Sequence, residues 1–302
     1  MIYLFCFYLT QFERFKYNSG KTFVRSKIMV KFQFLLPVDD LAYTEIAADN
    51  VIKLAKMYNA EISTVHVVDT DIFKDDENLE IQTRSGQVLL DKFNKYSSDA
   101  GVGIFQSRVL TGLPFNEIIK MQKEIDATLI VLGASDNNLG SVAERVVRNA
   151  KCHVLIARKI TGNLEPYKHI LVPVDGSEDA EYATQFAASI AHRSISKLTV
   201  CHVIQDPNKM PEGMVIVEKV MNIIKSKGIT ANSLIKEGKI TEEILKSIDK
   251  DQIDLIVMGY SRRGSVSRLI LGSVSEKVIR SASCSVFVVK SLRTEKVYTV
   301  KK

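Results

Sequence analysis

Two glycines, and the residues that follow the second, mark the place in this chain where chemistry could occur. Gly259 ends the apolar run "DLIVMG", and Gly272 with Ser273 opens the amphipathic run "GSVSEKVIR". The twelve residues between, 260 to 271, include Arg262, Arg263 and Arg268. A helix beginning at Gly272 presents backbone N–H groups with no intrahelical partner at the positive end of its dipole, a combination that holds an anion. Phosphate fits such a place, and holding it requires no nucleophile. His66 and His202 stand alone near strand ends, and no general base or other catalytic residue is identifiable. Cys6, Cys152, Cys201 and Cys284 show neither CxxC nor metal-ligand spacing, so no metal ligands are assigned. Scattered thiols of this kind fit a reduced, cytoplasmic compartment.

The glycines need a strand in front and a helix behind, and the chain writes that arrangement twice. "LGSVAERVVRNAKCHV" from Leu139 matches "LGSVSEKVIRSASCSV" from Leu271 at ten of sixteen positions. "FLLPVDD" from Phe34 answers "ILVPVDG" from Ile170, and "DATLIVLG" ending at Gly133 answers "QIDLIVMG" ending at Gly259. Short apolar runs alternate with longer helical patterns in each copy. This predicts an α/β fold of two doubly wound, five-stranded parallel-sheet domains in tandem, Rossmann-like in type.

In the second copy the strands are expected near Lys168 to Val174, Lys197 to Ile204, Ile229 to Ile235, Ile253 to Gly259 and Ser285 to Lys290. Ala180, Ala183, Ala187 and Ile190 recur at helical spacing, with Ser177 as the N-cap. Gly259 is expected to let the chain leave its strand sharply. The domains are read as 29–160 and 168–292, joined through "KITGNLEPYK", with a leader at 1–28 outside the fold and a tail at 293–302.

Composition narrows the partners. The 302 residues are 46% hydrophobic and 25% charged, which suits two ordinary globular domains. Of the formal net charge of +6, residues 1 to 27 hold +4, leaving about +2 on the body, too little for a nucleic-acid partner. The leader's apolar run "MIYLFCFYL" is far shorter than the roughly 20 residues of a spanning helix, so no transmembrane segment is expected.

Both copies resemble universal stress protein domains, over residues 30 to 158 and 168 to 290. Nucleotide-binding members of that family carry Gly, two residues, Gly, nine residues, Gly, then Ser or Thr, between the fourth strand and the last helix. Gly259, Gly272 and Ser273 keep this spacing, whereas Arg262 stands at the middle glycine, with Gly264 two positions on. The resemblance implies that the second copy binds ATP or a related adenine nucleotide, alone or with Mg²⁺. Pro173 and Asp175 would lie in the turn after the first strand, with Asp175 facing the ribose and Val203 meeting the adenine through its backbone. Met258 and Gly259 would line the sugar, and Arg262, Gly264, Gly272, Ser273, Val274 and Ser275 would surround the phosphates. Plainer roles stand beside these: a turn and helix cap for Asp175 and Ser177, and a core strand for Val203.

In the first copy only the six residues "ASDNNL" separate Gly133 from Gly140, Asp136 brings negative charge, and Asp40 replaces the glycine of "DGS". Pro37, Asp39, Val67 and Ser141 remain, and this copy is read as a degenerate partner. The family's habit of pairing through the last strand implies that "HVLIARK" pairs with "SVFVVKS" about a pseudo-twofold axis within the chain. The reading that follows is a stress-response or signalling protein, not an enzyme, that binds an adenine nucleotide and acts on unidentified protein partners. A nucleotide-free pseudo-dimeric interaction module and a slow ATPase are the alternatives, and a homodimer of the whole chain stays open.

Overall fold

The computed structural model describes residues 32–39, 42–135, 139–158, 167–260 and 272–290. In the first copy the order is β1 (Gln33–Pro37), α1 (Ala42–Tyr58), β2 (Glu61–Asp69), α2 (Asp76–Asp99), β3 (Ile104–Gly112), α3 (Pro114–Glu124), β4 (Leu129–Gly133), α4 (Ser141–Asn149) and β5 (His153–Ala157). The second repeats it as β6 (His169–Pro173), α5 (Glu178–Ser194), β7 (Lys197–Ile204), a 3-10 turn (Pro207–Lys209), α6 (Met210–Lys225), β8 (Asn232–Glu237), α7 (Ile240–Asp251), β9 (Leu255–Gly259), α8 (Ser273–Ser281) and β10 (Ser285–Val289).

The ten described strands form one sheet in the order β3-β2-β1-β4-β5-β10-β9-β6-β7-β8. Every neighbouring pair is parallel except β5 and β10, which run antiparallel with Val286 opposite Ile156 and Val288 opposite Val154. That single antiparallel seam joins the copies. Helices pair along the sheet, α1 with α2, α3 with α4, α5 with α6 and α7 with α8. The strands beside the seam are covered by helices: all five residues of β5 and all five of β10 are buried, and in each the first residue, His153 or Ser285, is polar and the other four are apolar.

Local chemistry explains the elements. Ser177 Oγ accepts the Ala180 N–H (3.2 Å), and Ala180, Ala183, Ala187 and Ile190 are buried, so α5 begins and faces as its sequence pattern predicts. The third strand of the second copy is displaced from the expected Ile229–Ile235 to Asn232–Glu237. Gly228 takes φ 71, and the Ile229 N–H returns to the Ile224 carbonyl (3.4 Å), so these residues close α6 before the strand starts.

The same repeat places a left-handed residue after α1 and after α5: Asn59 (φ 49) and Ile195 (φ 55). Asparagine tolerates that conformation; a β-branched side chain does not, and Ile195 is 94% exposed, so burial returns nothing. Ile195→Asn is therefore expected to stabilise the chain by about 1 kcal/mol, measured as a raised urea midpoint. An unchanged or lowered midpoint would show that Ile195 has packing partners in solution.

Candidate functional site

In the second copy the winding reverses between β6 and β9, which pair with each other, while β6 also pairs with β7. The carboxyl ends of these strands therefore lie side by side, the position where open α/β sheets hold ligands. Pro173 ends β6 opposite Cys201, and Val203 follows two residues on in β7. Met258 and Gly259 end β9, with Met258 buried.

The turn after β6 is fixed from several sides. His202 Nδ1 donates to the Val174 carbonyl (2.7 Å), and Gly213 of α6 packs against the imidazole, where a Cβ would fall 2.8 Å from a ring carbon. Gly176 takes φ 82 with Ile216 packed over it. Asp175 is exposed, and its Oδ1 accepts from the Ser177 N–H (3.0 Å) and hydroxyl (2.6 Å). Among the described residues, Oδ2 receives no such bond. His66 repeats the histidine's role in the first copy, 2.8 Å from the Val38 carbonyl, against Gly86. Both histidines hold turns, and among the described residues neither hydrogen-bonds a nucleophile.

Gly259 does not serve as expected. Its φ is not positive; instead, a Cβ there would lie 2.6 Å from the Asp179 carbonyl oxygen, in the first turn of α5. Gly133 is pressed in the same way by Tyr43. The glycine is demanded by helix-on-strand packing in both copies, not by a sharp exit from the strand.

The opposite wall is the first turn of α8. Gly272 is its N-cap and makes no side-chain cap, so the N–H groups of Ser273, Val274 and Ser275 have no intrahelical acceptor. Ser275 is 7% exposed, and its hydroxyl donates to the Gly259 carbonyl (3.4 Å), tying the turn to the end of β9. Ser273 is exposed. Gly272 has φ −59, and a Cβ there would meet only the Ser275 hydroxyl at 3.9 Å, so no described neighbour requires glycine. Its counterpart Gly140 does need to be glycine, with φ 71. The described residues thus bring Pro173, Asp175, Val203, Met258 and Gly259 to one edge of the sheet, with Gly272, Ser273, Val274 and Ser275 against it. Arg262 and Gly264 lie outside the described residues, as do Arg263, Ser265 and Arg268.

The first copy differs at the same edge. The Thr44 hydroxyl donates to Asp39 Oδ1, and the short connection leaves Leu139 buried in the core. Asp40 and Asp136 are outside the described residues.

Burial pushes the Cys152 and Cys284 thiols up to about 12 and Cys201 up to about 11. They are structural thiols, protonated and unreactive at neutral pH.

Sequence reasoning missed the charges at the seam. Arg158 is fully buried and donates from Nη2 to the Ile279 carbonyl (2.6 Å) and from Nε to the Ser135 carbonyl (3.1 Å). Lys290, 2% exposed, donates to the Val147 and Ala150 carbonyls (2.6 Å each). Each cation follows the last strand of its own copy and meets the C-terminal turn of the other copy's last helix, where the dipole favours it. Outside them, Arg148 and Arg280 each bridge Glu144 and Glu276, binding α4 to α8. The signal was present as a basic residue at the same place in "LIARK" and "FVVKS", but nothing local says what it reaches.

The family model described as the universal stress protein family matches residues 33–158 and 166–290. A universal stress protein of Methanocaldococcus jannaschii is 30% identical over 145 residues, 43% of this chain and 85% of that protein. A putative universal stress protein of Staphylococcus aureus is 33% identical over 141 residues, 41% of this chain and 85% of its own length. These relatives are about as long as one copy. The crystal structure of a universal stress protein from Archaeoglobus fulgidus covers 85% of this chain and 98% of its own, with a TM-score of 0.73 and 26% identity, so it spans both copies.

Proposed function

Because the chain belongs to the universal stress protein family, with both copies matched, we propose that it is a stress-response protein that binds ATP or a related adenine nucleotide in its second copy only. The observation that carries this reading is the first turn of α8. Among the described residues its N–H groups meet no cap, and its N-cap glycine is demanded neither by φ nor by a described neighbour. A phosphate approaching the backbone closely would supply the missing reason. Asp175 Oδ2 supplies an acceptor for the ribose, and the β7 backbone at Val203 a hydrogen-bonding edge for the base. Bound nucleotide would add Mg²⁺ through its own phosphates. In this reading the nucleotide acts as a conformational ligand read by protein partners. Three free, buried thiols among the described residues support a reduced, cytoplasmic setting.

Calorimetry of the full chain with ATP tests the reading. Wild type is expected to bind, and Gly272→Ala to weaken binding at least tenfold while its stability changes by less than about 1 kcal/mol. Arg262→Ala is expected to weaken binding as well, by the loss of a charge-assisted contact. No binding by the wild type or by Arg262→Gly, which restores the family's middle glycine, would overturn the proposal in favour of a nucleotide-free interaction module.

A further inference from the structure

The candidate site has two walls, the end of β9 and the helix α8, and the first copy grips both. Tyr260, the residue after Gly259, is 1% exposed, and its hydroxyl donates to the Arg148 carbonyl (3.2 Å) in the last turn of α4. Lys290 Nζ lies 4.4 Å above the same ring while it donates to the α4 carbonyls. The Tyr260 N–H donates to the Val289 carbonyl (2.8 Å), so the residue is anchored through its main chain as well as its hydroxyl. The second wall is held at the far end of α8, where Arg158 meets the Ile279 carbonyl.

The reciprocal grip is incomplete. Lys290 holds α4, but the residue after Gly133 is Ala134, whose methyl group cannot reach across the seam. Among the described residues, two pins act on the second copy's site and one on the first copy's. The pin through Tyr260 is the asymmetric one, and it acts on the residue next to Met258 and Gly259.

We infer that the first copy, short of its own loop, is the fixed support of the second copy's site, and that Tyr260 is the positioning residue through which it acts. This rests on the nucleotide reading given above. The uncapped amides of α8 and the edge of β9 are useful to a polyphosphate only at a fixed separation, and a nine-residue helix cannot set that separation alone. Within the second copy the Ser275 hydroxyl ties the two walls at one point, and the first copy sets the rest by holding each wall to its own frame.

The test uses the full chain with two readouts, ATP affinity by calorimetry and amide exchange at Met258, Gly259 and residues 273–275 without nucleotide. Tyr260→Ala installs the residue that the first copy carries at this place, and Phe287→Leu does the same for a seam residue remote from the loop, the counterpart of Leu155. Tyr260→Ala is expected to weaken ATP at least tenfold and to speed exchange at those amides. Phe287→Leu is expected to lower the melting temperature but leave affinity and local exchange at wild-type values. Tyr260→Phe, which removes only the hydroxyl, should fall between, and it replaces the alanine variant if that fails to fold. Equal losses in Tyr260→Ala and Phe287→Leu would overturn the inference, as would wild-type affinity and exchange in Tyr260→Ala. If wild type binds no ATP, the nucleotide reading fails by itself, and the exchange comparison still decides whether Tyr260 positions the two walls.

Discussion

Replacing Lys290 by methionine is expected to lower the stability of the chain by about 3 kcal/mol. Methionine is unbranched and only one atom shorter, so most of the cost is chemical. The ammonium satisfies the Val147 and Ala150 carbonyls in a place that is 2% exposed, and it lies over the Tyr260 ring. Methionine leaves two acceptors without that donor, at roughly 1–3 kcal/mol each, and forfeits a cation–π contact of about 1 kcal/mol. Part of this is offset because a buried ammonium no longer has to be desolvated. Urea unfolding of wild type and variant measures the difference. A loss below about 1 kcal/mol would mean that α4 finds other donors for its last carbonyls.

Acid is expected to weaken the seam well before the carboxylates protonate. His153 is 1% exposed at the start of β5, its ring centroid 4.4 Å from that of Phe186 and 6.0 Å from that of Phe287. Its Nδ1 accepts the Lys290 backbone N–H (3.1 Å), which requires an unprotonated nitrogen there. Burial, reinforced by the Lys290 charge, pushes its pKa down to about 3. The unfolded chain, with an ordinary histidine near 6.5, takes up a proton that the native seam refuses. The contribution is therefore complete above pH 6.5 and is lost as pH falls toward 3, at up to about 1.4 kcal/mol per unit, or about 2 kcal/mol by pH 5. His169, whose pKa is also lowered mainly by burial, adds to the same slope. His153→Phe keeps a ring in the cluster and cannot titrate. Its stability, measured from pH 7 to pH 5, should fall less steeply than that of wild type; parallel curves would show that His153 is already solvated in the native state.

The two seam effects share a physical cause. Burying a cation or a neutral histidine between domains is favourable only if each polar atom meets a partner in a fixed place. The antiparallel join between β5 and β10 provides those places. The Ser285 hydroxyl accepts the Arg158 N–H (3.1 Å) just as the His153 ring accepts the Lys290 N–H. Both residues begin the last strand of their copy, so the repeat conserves the position while changing the side chain.

Much of this protein is decided by sequence alone. The alternation of apolar runs and helical patterns, written twice, fixed the number of strands, their parallel sense and the helices between them, because both periodicities are local properties of the chain. Ser177 marked its helix start for the same reason, and Gly272 with Ser273 marked the uncapped turn of α8. The meaning of Gly259 was not local. It became legible only when α5 was seen pressing on it from eighty residues upstream, a contact that no spacing rule encodes. The seam lay further still beyond the sequence: Lys290 and the Val147 carbonyl are 143 residues apart, and Tyr260 and the Arg148 carbonyl 112. A side chain's type can announce that it needs a partner, but which backbone carbonyl meets it depends on how two folded sheets join. Here the join is a single antiparallel pair of strands, and it turned two basic residues and a tyrosine into supports for helices of the opposite copy.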